Sequence, residues 1–194
     1  TISKNIFRPI KFYIELNRLE LWKESIIRKF FWMKKIIEWY NWIKFNWLKK
    51  AKLVNIDYVD VSKDPVRPNL DLKFRTSYGR KIYGLKYENE IVGVICVAYT
   101  NDIPTTEKEL DLMSKVSHYE KNSNTAIAYT VWSHKKGAGK KIMEEAKKFL
   151  KGKADRIVTL SPLTPMATHY HIRNGAKLIN LNPTTQNFEY KLWQ

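Results

Sequence analysis

The stretch TAIAYTVWSHKKGAGKKIMEEAKKFL, residues 125–150, decides the fold of this 194-residue chain. Its first part, residues 125–132, is apolar, β-branched and aromatic, which predicts a buried strand. Residues 140–152 repeat apolar side chains at helical spacing and predict a helix. Between them, Gly137-Ala138-Gly139 leaves backbone N–H groups unblocked at a helix N-terminus, an arrangement that binds phosphate. The spacing matches neither a Walker loop nor a Rossmann fingerprint.

Strand and helix patterns alternate on either side of this stretch. Strands are predicted for LVNIDYVDV (53–61), NLDLKF (69–74), KIYGLKY (81–87), EIVGVICVAYT (90–100), RIVTL (156–160), AKLINL (176–181) and NFEYKLW (187–193). One helix is predicted from an N-cap at Thr105 or Thr106 through Val116, and a short one from about Pro165 to Asn174. Strands followed by alternating strands and helices predict an α+β domain with a mixed sheet over residues 53–194.

Residues 1–52 differ from the remainder in composition, because they hold five of the seven Trp and an excess of Lys and Arg. Apolar residues recur there at three- and four-residue spacing and predict a helix of about 30 residues. They are Leu19, Trp22, Ile26, Phe30, Met33, Ile37, Tyr40, Ile43 and Trp47. Three interpretations of the 19–48 helix stay open: it packs on the main domain or on a second copy of the chain, it lies on a membrane surface, or it binds nucleic acid.

The whole-chain composition limits location and partners. A formal net charge of +16 implies an anionic partner. The single Cys96 lies in an apolar run, where a free thiol acts as a small buried hydrophobe, and it fits a reducing, cytoplasmic location. We find neither an uncharged apolar stretch of membrane-spanning length nor the pattern of a signal peptide. The four His lack the Cys, Asp or Glu neighbours of a zinc site, so we expect no metal.

Two motifs resemble those of the GCN5-related N-acetyltransferase (GNAT) superfold. SHKKGAG, between a strand and a helix, resembles its pyrophosphate-binding motif, with His134 in the place of the usual Gln or Arg. MATHYHIRNGAKL (166–178) resembles its second signature, a helix that ends in Gly before the next strand. The resemblance implies a central, mostly antiparallel mixed sheet with flanking helices, and a splay between the strands that end near Trp132 and Ser161. It also implies CoA contacts from Val131, Trp132, Ser133, His134, Lys135, Lys136, Gly137, Ala138, Gly139 and Lys140.

The segments AIAYTVWSHKKGAGKKIMEEAKKFL, RIVTLSPLTPM and HYHIRNGAKLINLN resemble a narrower group, the catalytic part of malonyl-CoA decarboxylases. That resemblance implies catalytic roles for Ser161 and His171. Decarboxylation of a malonyl thioester requires a donor to the thioester oxygen and a proton source, and it needs no metal. For acyl transfer, the same His would take a proton from the acceptor or give one to the leaving thiol.

Those decarboxylases carry a helical insertion between the Ser and His motifs, whereas nine residues separate Ser161 from His171 here. We therefore expect an enzyme that binds a CoA thioester, such as acetyl-CoA or malonyl-CoA, and transfers an acyl group to an unknown acceptor. A malonyl-CoA decarboxylase-like lyase is one alternative. The other is a non-catalytic binding or structural protein, for instance of a phage virion, that keeps the fold and is anchored through residues 19–48.

Overall fold

The computed structural model describes residues 7–192, and for residues 7–21 and 43–45 it describes the backbone alone. The chain divides into two compact units, residues 1–47 and residues 48–194.

The first unit is one long helix. Helix α1 runs over Phe7–Lys50, 44 residues, so the helix is longer than the sequence pattern predicts and extends for about 66 Å. Its large apolar side chains between residues 22 and 42 are 43–70% exposed. Leu19 and Ile43 of the predicted stripe lie outside the residues whose side chains are described. Within residues 7–192, no helix combines the length and the apolar character that crossing a bilayer requires.

The second unit is an eight-stranded sheet with helices beside it. Its elements are β1 (Lys52–Ile56), a 3₁₀ turn (Val61–Lys63), α2 (Leu72–Thr76), β2 (Lys81–Tyr87), β3 (Glu90–Thr100), α3 (Glu107–Glu120), β4 (Thr125–Ser133), α4 (Ala138–Leu150), β5 (Arg156–Thr159), β6 (Ser161–Pro162), α5 (Pro165–Arg173), β7 (Ala176–Leu181) and β8 (Thr185–Tyr190). The strand order is β1-β2-β3-β4-β5-β8-β6, and β7 also pairs with β8. Among these pairs, β4–β5 is parallel and the others are antiparallel. The predicted α+β, mostly antiparallel fold is confirmed.

The sheet centre follows directly from the apolar runs. Strands β2 and β3 have the predicted bounds, and β3 is buried on both faces, as an apolar run of its length indicates. The turn that joins them uses Glu88 in the left-handed region, with φ of 54°. On α3, the Thr106 hydroxyl accepts a hydrogen bond from the backbone N–H of Glu109, so the predicted N-cap is confirmed.

One predicted strand is wrong and another is too long, because acidic side chains start helical turns in them. NLDLKF does not form a strand, since the Asp71 carboxylate accepts a hydrogen bond from the Phe74 N–H at 2.6 Å and caps α2. LVNIDYVDV is a strand only as far as Ile56, because Asp60 in the same way caps the 3₁₀ turn. Elsewhere the differences are at the ends: α4 begins and ends two residues before its predicted bounds, and Trp193 of the last predicted strand lies outside the described residues.

Candidate functional site

A gap opens in the sheet where β4 parts from β5. Their parallel pairing runs from Thr125–Arg156 to Ala128–Thr159. A last hydrogen bond joins the Leu160 N–H to the Ala128 carbonyl at 3.1 Å. Beyond it β4 continues to Ser133, whereas the other chain segment enters β6 and pairs with β8. The predicted splay is therefore present.

The predicted phosphate loop lies at the end of β4 and opens α4. Gly137, with φ of 90°, is the N-cap of α4, and no side chain caps the helix there. The Ala138 N–H bonds the Lys135 carbonyl, while the first turn of any α-helix contains N–H groups without intrahelical acceptors. Both Lys136 and Lys140 are exposed beside this turn. Lys140 is also 3.8 Å from Glu144, and Lys141 forms a closer ion pair with Glu145 at 3.0 Å on the helix itself.

Ser161 and His171 are in direct contact. Ser161 is the first residue of β6 and His171 lies in the last turn of α5, and the Ser161 Oγ to His171 Nε2 distance is 2.6 Å. The other ring nitrogen, Nδ1, is 2.8 Å from the Tyr190 hydroxyl on β8. The Phe188 ring stacks on the imidazole at a centroid distance of 4.9 Å. Ser161 is 4% exposed and His171 is 5% exposed, so the pair is held inside the protein.

The hydrogen-bond partners of this pair favour one imidazole tautomer. In the described residues, the Tyr190 hydroxyl has His171 Nδ1 as its hydrogen-bond partner, so its hydrogen is satisfied only if it is donated to Nδ1. Nε2 then carries the ring hydrogen and donates to Ser161 Oγ. The Ser161 hydroxyl in turn donates to Thr159 Oγ1 at 3.2 Å. This assignment places the hydroxyl hydrogens of Tyr190 and Ser161 and the ring hydrogen of His171.

The imidazole is neutral at physiological pH. Burial lowers the pKa of His171 from 6.5 to about 4, because a charged ring loses its hydration inside the protein. In this state His171 is a hydrogen-bond donor through Nε2, and its one lone pair is already used by Tyr190. The pair is therefore built to donate hydrogen bonds.

Comparison with known proteins identifies solved structures of similar fold. No protein-family model and no curated protein matches the sequence. Malonyl-CoA decarboxylase from Rhodopseudomonas palustris is similar in structure at a TM-score of 0.52 and 17% identity, over 75% of this chain and 57% of that one. The decarboxylase from Agrobacterium vitis aligns at 0.51 and 17%, over 73% of this chain and 41% of that one. The Campylobacter jejuni N-acetyltransferase PseH in complex with acetyl coenzyme A aligns at 0.45 and 15%, over 73% and 98%.

The fold is GNAT-like. At these identities the likeness concerns the fold, and the chain spans only about half the length of the two decarboxylases.

In this GNAT-like fold, α5 connects the two candidate regions. The Tyr170 hydroxyl donates to the Gly139 carbonyl at 2.8 Å, next to the phosphate loop. A Cβ at Gly139 would lie 3.2 Å from Cε2 of Tyr170, so the small residue is what lets the ring approach. The neighbouring residue on α5 is His171, whose ring is 5.0 Å from that of Tyr170. The first turn of α4 is thereby in direct contact with the helix that holds His171.

A buried ionic cluster supports β4 where the splay begins. Tyr129 is the extra residue of a β-bulge, and its carbonyl accepts a hydrogen bond from the Arg67 guanidinium. Asp64 is buried and accepts hydrogen bonds from Arg75 at 2.7 Å and from the Thr130 hydroxyl at 2.9 Å. The cluster ties the loop before α2 to the end of β4 and so fixes one wall of the gap.

The structure thus brings Ser161 and His171 together and gathers residues 131–140 around the end of β4. Within that loop His134 is exposed, and its backbone N–H bonds the Val92 carbonyl. Tyr190, Thr159 and Tyr170 were not among the predicted site residues. The one available signal was the spacing of Phe188 and Tyr190, which places both on the same face of β8.

Proposed function

We propose that this protein binds a CoA thioester of a β-carboxylated acid, of the malonyl type, and decarboxylates it with Ser161 and His171. The observation that carries the proposal is the 2.6 Å contact between Ser161 and a buried, neutral His171 at the end of the β5 side of the splay. The same reaction gives the two structural neighbours with TM-scores above 0.5 their names.

The binding part of the proposal rests on the loop and the splay. The pyrophosphate of CoA would lie on the uncapped N-terminus of α4, where backbone N–H groups and the helix dipole favour an anion. The exposed Lys136 and Lys140 add charge for the phosphates. The pantetheine arm would pass between β4 and β5, where backbone groups of β4 beyond Ala128 have no partner on β5.

Decarboxylation of a malonyl thioester depends on a hydrogen-bond donor to the thioester oxygen more than on a general base. When the bond between the α-carbon and the carboxylate breaks, CO₂ leaves and the electron pair becomes an enolate on the thioester oxygen. A hydrogen bond to that oxygen stabilises the charge as it develops. The Nε2–H of His171 donates a hydrogen bond to Ser161 Oγ. The Ser161 hydroxyl is then free to rotate, so that its hydrogen bond passes from Thr159 to the thioester oxygen. A proton that ultimately comes from water then completes the acetyl thioester at the α-carbon.

Acyl transfer to an amine is the second candidate. The short connection between Ser161 and His171 favours acyl transfer, because it has nine residues where the malonyl-CoA decarboxylases carry a helical insertion. It requires a general base with a lone pair open to the acceptor. Because Nδ1 accepts from Tyr190 and Nε2 carries the hydrogen, His171 has no such lone pair in this arrangement. For that reason we place decarboxylation first.

The test is product analysis with malonyl-CoA. We expect the wild-type protein to release CO₂ and form acetyl-CoA in equal amounts, and His171→Ala and Ser161→Ala to lose about 100-fold or more of the rate. His169→Ala is the matched control, because His169 is exposed on the same helix two residues away, and it should keep the wild-type rate. Binding of free CoA, measured by calorimetry, should be unchanged in all three variants.

Other results separate the alternatives. Binding of CoA without CO₂ release, together with free thiol formed from acetyl-CoA when amines are added, would select acyl transfer. Absence of CoA binding in the wild-type protein would overturn the proposal and favour a non-catalytic role.

A further inference from the structure

Helix α1 carries an unusual amount of exposed apolar surface. Twelve large apolar side chains between residues 22 and 42 are 43–70% exposed: Trp22, Ile26, Ile27, Phe30, Phe31, Trp32, Met33, Ile36, Ile37, Trp39, Tyr40 and Trp42. Scattered exposed apolar residues are ordinary, but a continuous patch of this kind marks an interaction surface. The site proposed above makes no use of it.

Part of this apolar surface is a row with basic residues on its borders, and the other apolar side chains project from the remaining sides of the helix. At about 100° per residue, Trp22, Ile26, Phe30, Met33 and Ile37 fall within an arc of about 80°. On the same projection, Lys23 and Lys34 border the row on one side and Lys29 borders it on the other. We call these five apolar residues the α1 row. It is wide enough to be inserted into an apolar phase while the lysines beside it stay in water.

The charge of the helix decides which partner suits this surface. Residues 22–42 hold five basic side chains, Lys23, Arg28, Lys29, Lys34 and Lys35, and two acidic ones, Glu24 and Glu38. A second copy of the helix would bring like charges together along the whole contact. Nucleic acid would neutralise the charges, but its phosphate backbone offers nothing to an apolar row. An anionic lipid surface satisfies both features at once.

We propose that α1 docks the protein on the surface of an anionic bilayer. The α1 row enters the boundary between headgroups and acyl chains, and the bordering lysines extend to the lipid phosphates. Trp22, at one edge of the α1 row, lies at headgroup level, where indole rings are favoured. Docking is peripheral, in keeping with the absence of a spanning helix within residues 7–192.

The test uses the full chain and sedimentation with two kinds of vesicle, phosphatidylcholine alone and phosphatidylcholine with about one third phosphatidylglycerol. Three excess positive charges, each attracted to the anionic surface, predict binding about 100-fold tighter to the second kind. High salt should remove most of this preference. Lipids brominated near the headgroup should quench the tryptophan fluorescence of the wild-type protein, which tests insertion without any substitution.

A matched pair of variants tests the row itself. Ile26→Glu with Ile37→Glu places two acidic groups in the α1 row and should abolish the binding to anionic vesicles. Ile172→Glu with Leu181→Glu makes the same charge change at two exposed apolar positions of the second unit and should reduce binding by less than about threefold.

Three results would overturn the proposal. They are equal binding to both kinds of vesicle, equal losses in the two double variants, and a wild-type protein that ignores vesicles but is an oligomer which the row variant converts to monomer. The last result would assign the row to contact between copies of the chain.

Discussion

The buried, neutral His171 makes the stability of the second unit depend on pH in a defined window. In the unfolded chain its imidazole titrates near 6.5, whereas burial lowers the pKa to about 4 in the folded protein. Between these two values the unfolded chain binds a proton that the folded protein does not. Lowering the pH therefore stabilises the unfolded state, at about 1.4 kcal/mol per pH unit.

From pH 7 to pH 4.5 this group alone should cost about 2.5 kcal/mol of the free energy of unfolding. Urea unfolding at a series of pH values measures the total, to which carboxylates also contribute. The contribution of His171 is isolated by the variant His171→Gln, which does not titrate. We expect the wild-type protein to lose about 2.5 kcal/mol more than the variant over this range, with the difference fully regained above pH 7.

His169→Gln is the control, because the exposed His169 should leave the wild-type pH dependence unchanged. Parallel curves for the wild-type protein and His171→Gln would refute the reasoning. Parallel curves would mean that the imidazole is hydrated in the folded protein. The argument that a neutral His171 donates a hydrogen bond to Ser161 would then fail.

Three further outcomes are expected. Replacing Arg75 by Met leaves the fully buried Asp64 without its ionic partner and should lower the free energy of unfolding by about 3–5 kcal/mol in urea titrations. The control Arg28→Met removes an exposed ion pair and should change the free energy of unfolding by less than about 0.5 kcal/mol. Equal effects of the two substitutions would contradict the burial argument. Burial raises the pKa of the Cys96 thiol to about 11, so a thiol reagent at pH 8 should react only after unfolding, and fast reaction of the native protein would show the strand to be open. Thr106→Ala removes the hydroxyl that caps α3 and should lower the free energy of unfolding by about 1 kcal/mol, measured by thermal or urea unfolding. An unchanged free energy of unfolding would mean that water replaces the cap.

The sequence predicts the parts of this fold that depend on local patterns. Strand β3 and the phosphate loop with α4 are evident from an apolar run and from glycines before a helical repeat. NLDLKF is a counter-example, because its alternation of apolar and polar residues suits a strand equally well. The outcome there is decided by one carboxylate, Asp71, that caps a helical turn.

The candidate site is only partly predictable for a related reason. Ser161 and His171 were identified through a resemblance of motifs, but their partner Tyr190 comes from a strand whose register no local pattern fixes. The Asp64–Arg75 pair is similar: a charged residue in a loop and one on a short helix are ordinarily solvated, and only the packed structure buries them. Such pairings are made by the assembled sheet and are absent from any short window of sequence.

Strand β8 also has a consequence for misfolding. It pairs with β5 and β6 on one side and with β7 on the other. Because strand side chains alternate between faces, a slip of one residue would turn Phe188 and Tyr190 away from His171 while most backbone pairing survived. Because β8 is buried along its length, such a slip would also displace its other buried side chains, so the register that places Tyr190 against His171 is strongly specified.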